Sequence, residues 1–374
     1  MSLLAALALA AAAPADCASE GSFDYVCGPE KPEDLLVLPG TPWLVASGFA
    51  LGAGLKLVDT RSRAWRKWYG GGAQVRWDRQ TFPHCPGPLD PALFNARGLA
   101  LRQMGEARWR LLAVNHGGRE AIEAFDVVAG QGEPSLVWRG CLPMPEGQVA
   151  NSVASFADGT VLTTVLTRPG TTIADFVQGR ITGAVWQWQP GDAAFSEVPG
   201  TQAPGNNGLE VDPDERHFYV VAFGWHAVLV FDRMAPGAPP ERIEAPDFMP
   251  DNIHWTGGRL LLTGMRLDEP ACGGLRKVVE GKADPMLCHR GWVVGELDLA
   301  ARRVSTFAYG LPQGGFNGHS SAALVGGELW LGSFQSGRLA ILRGAADRQG
   351  WPASQRAVPA GRLGMARGST PLVP

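Results

Sequence analysis

The sequence predicts an all-β fold arranged as a six-bladed β-propeller, and three observations lead to it. The 374 residues include 49 glycines and 29 prolines, which indicates many turns between short strands. Apolar and polar residues alternate over short runs, as they do in half-buried antiparallel strands. A short polar motif also recurs at the start of successive units, which is typical of a repeat protein.

The recurring motif places an amide or an acid at the start of the first strand of a unit. Asn151, Asn207 and the pair Asp251-Asn252 occupy this place in three units. The steps from 151 to 207 and from 207 to 251 are close to the period of roughly 40 to 50 residues of propeller blades. If the first strand of each blade lines a central channel, these side chains converge on one axis. A metal ion would lie there.

Six units follow one another along the chain, and the fourth is the clearest, with four strand-like runs. The third unit carries an insertion at 168–182, and the fifth carries a glycine-rich insertion bracketed by two cysteines. The predicted units span 35–68, 95–142, 150–198, 207–245, 251–309 and 316–342. We expect one propeller domain over 16–343 and a C-terminal tail over 344–374, where periodicity is lost.

Composition limits the classes of partner. The chain is 45% hydrophobic and 18% charged, as expected for a globular protein with a large core. Its formal charge of −3 gives no reason to expect nucleic acid or an anionic membrane as a partner.

The N-terminal segment 1–15 is apolar, rich in alanine and ends in a pattern of small residues. It is too short to span a bilayer, and we interpret it as a secretory signal cut after Ala15. A buried N-terminal helix is the alternative, because no Lys or Arg follows Met1. The signal interpretation predicts a secreted or periplasmic protein.

The six cysteines are an even number, and in an oxidising compartment they would pair. Cys272 and Cys288 bracket the insertion of the fifth unit, so a bond between them would staple that loop. The remaining connectivity is open. The sequence contains no Cys-x-x-Cys, which argues against a structural zinc site.

The first unit places Glu33 where later units place the recurring amides and acid. Glu33, Asn151, Asn207, Asp251 and Asn252 together form an all-oxygen set with two formal negative charges. Such a set suits a hard divalent cation such as Ca²⁺. Each Asn alone is more typical of a turn or cap, but the shared register in successive units favours a common site.

These motifs resemble those of the calcium-dependent paraoxonase and arylesterase family, a relative of the senescence-marker, gluconolactonase and strictosidine-synthase-like propellers. The resemblance covers about residues 30 to 343. It implies that the five residues of the oxygen set hold a catalytic Ca²⁺. The motifs are Glu33-Asp34, Phe94-Asn95-Ala96-Arg97-Gly98, Val114-Asn115-His116, Asn151-Ser152, Asn207-Gly208 and Asp251-Asn252.

Two departures from that family affect the expected chemistry. Arg97 stands where the family has one histidine of a proposed pair, and the other histidine matches His116. Arginine stays protonated and cannot act as a base, but it can stabilise an oxyanion or bind a substrate carboxylate. Ser152 stands where the family has an Asp, which with Asp34 would hold a structural calcium. The sequence therefore supports a second ion less strongly than the first.

The expected reaction is hydrolysis of an ester or lactone, with Ca²⁺ polarising the carbonyl. His116 is the first candidate for the base, because an imidazole titrates near neutral pH. Glu33 and Asp251 are carboxylate alternatives beside the ion. His319, which starts the sixth unit, is a further candidate, although a capping or hydrogen-bonding role is more common for such a histidine.

Two other functions compete with this hypothesis. The presence of Arg97 favours a non-catalytic, calcium-stabilised binding propeller. A gluconolactonase-like sugar lactonase, in which a channel arginine contacts a polar substrate and a carboxylate is the base, is the second. Turnover of aryl acetates, aliphatic lactones and sugar lactones, with and without a chelator, separates the three.

Overall fold

The computed structural model describes residues 17–70, 74–130 and 132–342 and shows six sheets arranged as the blades of a β-propeller, antiparallel except for one parallel pair in the second blade. The six predicted units correspond to the six blades, so the predicted fold class is confirmed. The predicted signal segment 1–15 and the tail 344–374 lie outside the described residues. Among the described residues, no helix is long and apolar enough to cross a membrane.

Blades 1 to 3 follow in chain order after β1 (Phe23–Cys27). Blade 1 contains β2 (Leu35–Val37), β3 (Trp43–Ala46), β4 (Lys56–Asp59) and β5 (Trp65–Lys67). Blade 2 contains β6 (Gln74–Val75), β7 (Ala96–Gly105), β8 (Arg108–Asn115), β9 (Ala121–Val128) and β10 (Ser135–Pro143). Blade 3 contains β11 (Ala150–Ser155), β12 (Val161–Val165), β13 (Ala184–Trp188) and β14 (Ser196–Glu197).

Blades 4 to 6 complete the ring. Blade 4 contains β15 (Asn206–Val211), β16 (His217–Ala222), β17 (Ala227–Asp232) and β18 (Glu241–Glu244). Blade 5 contains β19 (Phe248–Thr256), β20 (Arg259–Arg266), β23 (Trp292–Asp298) and β24 (Arg303–Gly310), and its insertion holds the hairpin β21 (Val278–Val279) and β22 (Lys282–Ala283). Blade 6 contains β25 (His319–Val325), β26 (Glu328–Ser333) and β27 (Arg338–Leu342).

The ring is closed by the N-terminal strand. β1 pairs antiparallel with β27, from Phe23 opposite Leu342 to Cys27 opposite Arg338, so blade 6 takes its outer strand from the opposite end of the chain. The sixth predicted unit, 316–342, thus supplies three of the four strands of its blade. Because β1 lies in the same sheet as β25, β26 and β27, the two ends of the described chain are joined in one blade.

The insertion of blade 3 contains the only α-helix among the described residues, α1 (Ile173–Val177). Thr172 caps its N-terminus by accepting from the Asp175 backbone N–H, and the Asp175 carboxylate accepts from the Thr172 backbone N–H. This reciprocal pair is a capping box. Phe176 of α1 packs edge-on against Phe223, with ring centroids 5.5 Å apart. The helix thereby lies against the end of blade 4.

Three disulfides connect segments that the hydrogen bonds of the blades leave apart. They join Cys17 to Cys27, Cys85 to Cys141 and Cys272 to Cys288. The pairing of the last two confirms the staple expected across the insertion of blade 5. Three such bonds indicate that the chain folds in an oxidising environment.

Apolar side chains fill the spaces between neighbouring blades, as expected for sheets that pack face to face. Trp138, Trp292 and Trp330 are among the largest fully buried side chains. The first strand of each blade contacts the first strands of the two neighbouring blades, so β2, β7, β11, β15, β19 and β25 surround the central axis. Their starts lie at one end of the channel, called here the ligand end.

Candidate metal centre

The first strands of blades 2 to 5 each contain a β-bulge at the same place. In every case two residues of the first strand oppose one residue of the second strand. A bulge re-aims side chains that regular pairing would turn into the space between blades. The bulged pairs are Arg97-Gly98, Asn151-Ser152, Asn207-Gly208 and Asp251-Asn252.

Two glycines in these bulges allow the first strands to approach closely. A Cβ atom on Gly98 would lie 2.5 Å from the carbonyl oxygen of Asn151 in the next blade. A Cβ atom on Gly208 would lie 2.6 Å from the carbonyl oxygen of Asp251. Any larger residue would separate the strands that carry the predicted metal ligands.

The five predicted ligands, called here the oxygen set, occupy the start of the first strands around the ligand end. Asn252 Nδ2 donates to Glu33 Oε1 at 3.0 Å, which joins blade 5 to blade 1. The Asn207 side chain of blade 4 lies near the Asp251 carboxyl group of blade 5 and acts to lower the pKa of that group. Asn151 lies in the equivalent bulge of blade 3, and β11 contacts β15 directly.

Four oxygens of this set are buried and accept no hydrogen bond from the described residues. They are Glu33 Oε2, Asn151 Oδ1, Asn207 Oδ1 and Asn252 Oδ1. A buried acceptor without a partner costs about 1–3 kcal/mol, so four of them around one axis require a common explanation. One divalent cation would satisfy all four, and the residues present fit Ca²⁺ in both oxygen chemistry and charge.

The two carboxyl groups of the set have raised pKa values, as expected for buried carboxylates that lie near other carboxylates. Burial, together with the charge of Asp34, raises the pKa of Glu33 to about 7. Burial, together with the charge of Glu33, raises the pKa of Asp251 well above its usual value. A cation between these groups would reverse both effects, because an opposite charge favours the ionised carboxylate.

The residues one step further along the channel are fully paired, unlike the oxygen set. Asp34 accepts hydrogen bonds from the backbone N–H groups of Leu35 at 2.9 Å and Leu99 at 2.7 Å. His254 Nε2 lies 2.8 Å from Asp34 Oδ1, and His254 Nδ1 lies 3.2 Å from Glu210 Oε2. We call Asp34, Glu210 and His254 the histidine cluster.

The histidine cluster supplies its own positive charge. Burial alone would lower the pKa of His254, but the charge of Asp34 and the hydrogen bonds to Asp34 and Glu210 raise it to about 10. Protonated His254 therefore donates from both ring nitrogens at neutral pH. Ser152 Oγ, the other position implied for a second ion, accepts from the Leu209 backbone N–H at 3.2 Å. The residues around Asp34 do not fit a second metal ion.

Arg97 lies at the ligand end, within electrostatic range of Glu33 and Glu120. Its guanidinium carbon stacks 3.0 Å from the centroid of the Phe49 ring, and its Nε donates to Asn95 Oδ1 at 3.1 Å. Burial lowers the pKa of Arg97 to about 10, so it remains a cation at neutral pH.

His116 follows the second strand of blade 2 and lies at the same end of the channel. Its Nδ1 is 2.6 Å from Glu120 Oε2, and its side chain is 14% exposed. A carboxylate bonded to Nδ1 fixes the ring so that Nε2 is the nitrogen that can accept a proton. This pairing is the geometry expected of a general base with an orienting partner.

His319 has a different environment. Its ring packs against Phe316, with centroids 4.8 Å apart, and is tilted against Trp292 at 6.1 Å. Both ring nitrogens are buried without a hydrogen-bond partner in the described chain. Burial lowers the pKa of His319 to about 3, which makes it a weak base. Packing between aromatic rings of blades 5 and 6 favours a structural role.

Sequence reasoning missed Glu120, His254 and Phe49 as members of this region. The spacing from His116 to Glu120 could have indicated their contact, because four residues after the end of a strand suffice for a tight turn. Such a turn brings the Glu120 carboxylate back to the His116 ring. His254 lies two residues after Asn252 on β19, and alternation along a strand places the two side chains on the same face. Nothing in the sequence connected Phe49 to Arg97, since their contact spans two blades.

A second acidic cluster lies at the opposite end of the channel. Ligand atoms of Asp212, Asp214 and His217 are within 4.8 Å of one another. Asp212 already accepts from the His217 backbone N–H at 3.0 Å and lies 2.9 Å from the His217 ring nitrogen. These hydrogen bonds explain the cluster without a metal ion.

No established protein-family profile matches the sequence, and no curated protein sequence does. Among solved structures, the chain is similar to a luciferin-regenerating enzyme at 11% identity and a TM-score of 0.51, covering 85% of this chain and 93% of that one. It is also similar to a protein assigned provisionally as a gluconolactonase, at 13% identity, a TM-score of 0.48 and coverages of 86% and 91%. A calcium-binding regucalcin from Agrobacterium tumefaciens gives 10% identity, a TM-score of 0.49 and coverages of 84% and 90%. At such low identity, the likeness to the luciferin-regenerating enzyme shows the fold alone.

Proposed function

We propose that the protein is a calcium-dependent hydrolase of carboxylic esters or lactones. The observation that carries this proposal is the ring of four buried oxygens without partners, next to two carboxyl groups whose pKa values are raised. Glu33, Asn151, Asn207, Asp251 and Asn252 would hold one Ca²⁺. The resemblance of the sequence motifs to the paraoxonase and arylesterase family supports the same assignment.

Bound Ca²⁺ supplies Lewis-acid polarisation of the substrate carbonyl. The chain supplies the rest of the reaction. His116 Nε2 takes a proton from the attacking water as the new C–O bond forms, while Glu120 holds Nδ1 and balances the imidazolium charge. The same proton is then returned to the leaving oxygen as the acyl C–O bond breaks, so the products are an acid and an alcohol, or a hydroxy acid from a lactone.

The ligand end is also backed by a buried apolar cluster, which supports a non-sugar substrate. Phe176, Phe223, Met249, Met265 and Met286 form one buried cluster, and Leu166 and Phe334 pack against it. Met249 lies two residues before Asp251 on β19, so this cluster adjoins the oxygen set. Apolar side chains bind aryl or alkyl groups and offer few partners for the hydroxyls of a sugar.

The proposal is tested by turnover of phenyl acetate, an aliphatic lactone and gluconolactone, measured in Ca²⁺ and in EDTA. We expect hydrolysis of phenyl acetate or of the aliphatic lactone that is lost in EDTA and restored by Ca²⁺. Turnover confined to gluconolactone would favour the sugar lactonase, to which the cationic Arg97 at the rim is suited. Calcium binding without any turnover would favour a binding module and contradict the proposal.

The disulfides support a proposal about where the protein acts. We propose that the protein acts outside the cytoplasm, in the periplasm or after secretion, because six paired cysteines need an oxidising compartment. A small-molecule ester or lactone is its proposed partner. Cell fractionation of the tagged full-length chain, with a cytoplasmic marker as control, checks this assignment.

A further inference from the structure

Arg97 is a fixed cation at the ligand end whose terminal nitrogens have no partner in the described part of the chain. Its Nε donates to Asn95, but neither Nη1 nor Nη2 makes a hydrogen bond or ion pair with residues 17–70, 74–130 or 132–342. A guanidinium carries five N–H donors in a planar fork that matches a carboxylate. Four of those donors, on Nη1 and Nη2, are thus available to a ligand.

The side chain is held in place before any ligand arrives. The guanidinium stacks on Phe49 at 3.0 Å, and the loop that carries Phe49 is itself anchored. The Gly48 N–H donates to the Ala96 carbonyl at 3.0 Å, and the Phe49 N–H donates to the Lys31 carbonyl at 2.8 Å. Because the arginine side chain is already ordered, it loses less conformational entropy when a ligand binds.

The surroundings of Arg97 indicate what kind of anion it would bind. The ring of Phe49 lies 6.0 Å from that of Phe334, and Phe334 packs on the apolar cluster beside the oxygen set. The anion would therefore be attached to an aryl or alkyl group. When a divalent ion offsets Glu33 and Asp251, the remaining carboxylate near Arg97 is Glu120, which is bonded to His116.

We propose that Arg97 is an anion subsite that selects esters or lactones carrying a carboxylate besides the bond that is cleaved. This inference rests on the proposed function, and it names the substrate class of that same site. Arg97 would contact the distant carboxylate through Nη1 and Nη2, while the scissile carbonyl lies at the oxygen set. The bidentate contact would favour the anionic substrate over its neutral analogue.

The test compares matched substrates in the parent and in Arg97→Met, a variant that keeps the apolar contact with Phe49. One pair, 4-nitrophenyl hydrogen glutarate and 4-nitrophenyl acetate, places the charge on the acyl side. The other, 4-acetoxybenzoate and its methyl ester, places it on the leaving-group side. We expect the ratio of kcat/KM for the charged to the neutral substrate to fall about tenfold or more in at least one pair.

Two further variants define the cause. Arg97→Lys keeps the charge but loses the planar fork, so it should recover only part of the ratio. Arg168→Met removes another arginine that follows a second strand, β12, at the ligand end, and it should leave both ratios as in the parent. Ratios in Arg97→Met equal to those of the parent would overturn the proposal.

A binding measurement separates this inference from the proposed function. Calorimetry of benzoate and of benzamide, in Ca²⁺, needs no turnover. We expect benzoate to bind the parent at least tenfold more tightly than it binds Arg97→Met, with benzamide unaffected, even if every ester proves inert. Equal benzoate affinity for the two proteins would refute the anion subsite, whatever the hydrolysis panel shows.

Discussion

The oxygen set and the histidine cluster are neighbours on the same strands, yet they resolve the same electrostatic problem differently. The histidine cluster surrounds a buried carboxylate with two backbone donors and a protonated imidazole, so every polar atom named in it has a partner. The oxygen set gathers two carboxyl groups and three amides and leaves four oxygens without partners among the described residues. Buried charge alone therefore does not favour a metal site, whereas several unpaired acceptors in neighbouring blades favour one.

Asp251→Asn should produce the largest effect, because it removes one of the two charges that would hold the proposed ion. We expect Ca²⁺ affinity to fall at least 100-fold and hydrolysis to fall to background. In EDTA the variant should be at least as stable as the parent, because its burial no longer sets a second carboxyl group against Glu33. Calorimetric titration with Ca²⁺ and thermal melts with and without EDTA measure both.

Asp212→Asn is the matched control for that variant, since Asp212 and Asp251 are 7% and 8% exposed but lie at opposite ends of the channel. It should bind one Ca²⁺ with the affinity of the parent. Retention of Ca²⁺ by Asp251→Asn would place the ion elsewhere and remove the distinction between the two groups of residues.

His254→Gln tests the histidine cluster. Loss of the imidazolium leaves Asp34 buried and without its cation, which costs about 3–5 kcal/mol of unfolding free energy. The variant should still bind one Ca²⁺ per chain, because none of its side-chain atoms belongs to the oxygen set. Urea unfolding and metal analysis of the same preparation check the two claims, and binding of a second ion by the parent would show that the cluster had been misread.

His116→Gln should lower kcat by about 100-fold, the usual contribution of a general base, while Ca²⁺ affinity stays within a few-fold of the parent. His217→Gln is the control, because His217 is also bonded to a carboxylate but lies at the opposite end of the channel. Steady-state kinetics on phenyl acetate give the comparison. Equal kcat values for parent and His116→Gln would transfer the role of base to Glu33 or Asp251.

Much of this region could be predicted from the sequence, because a repeat carries its register with it. The six blades and the common position of Asn151, Asn207 and Asp251 follow from the spacing of the motifs. The bulges do not, since a bulge is a property of pairing between two strands. The partner of β1 and the contact between His254 and Asp34 also depend on parts of the chain more than 200 residues apart, which local patterns do not connect.

The pH dependence of stability should distinguish the two groups of residues most finely. In EDTA, folded Glu33 has a pKa near 7 against 4.5 for the ordinary group, and the pKa of folded Asp251 is also raised, so the folded state binds more protons than the unfolded chain. Glu33 alone lowers stability by about 2–3 kcal/mol as pH rises from 4.5 to 7, and Asp251 adds to this fall. In saturating Ca²⁺ the carboxylates are ionised in the folded state, so this fall should vanish or reverse.

The histidine cluster should behave in the same way with and without Ca²⁺. The pKa of His254 is raised from 6.5 to about 10, so its contribution to stability is complete below pH 6.5 and is lost as pH rises through 10. Unfolding free energies from pH 4.5 to 10, for the parent and His254→Gln in both buffers, separate the two windows. Calcium should remove the fall caused by Glu33 and Asp251, and His254→Gln should remove the fall caused by His254 in both buffers, because binding of an ion would displace protons from the oxygen set, whereas the histidine cluster carries its own cation.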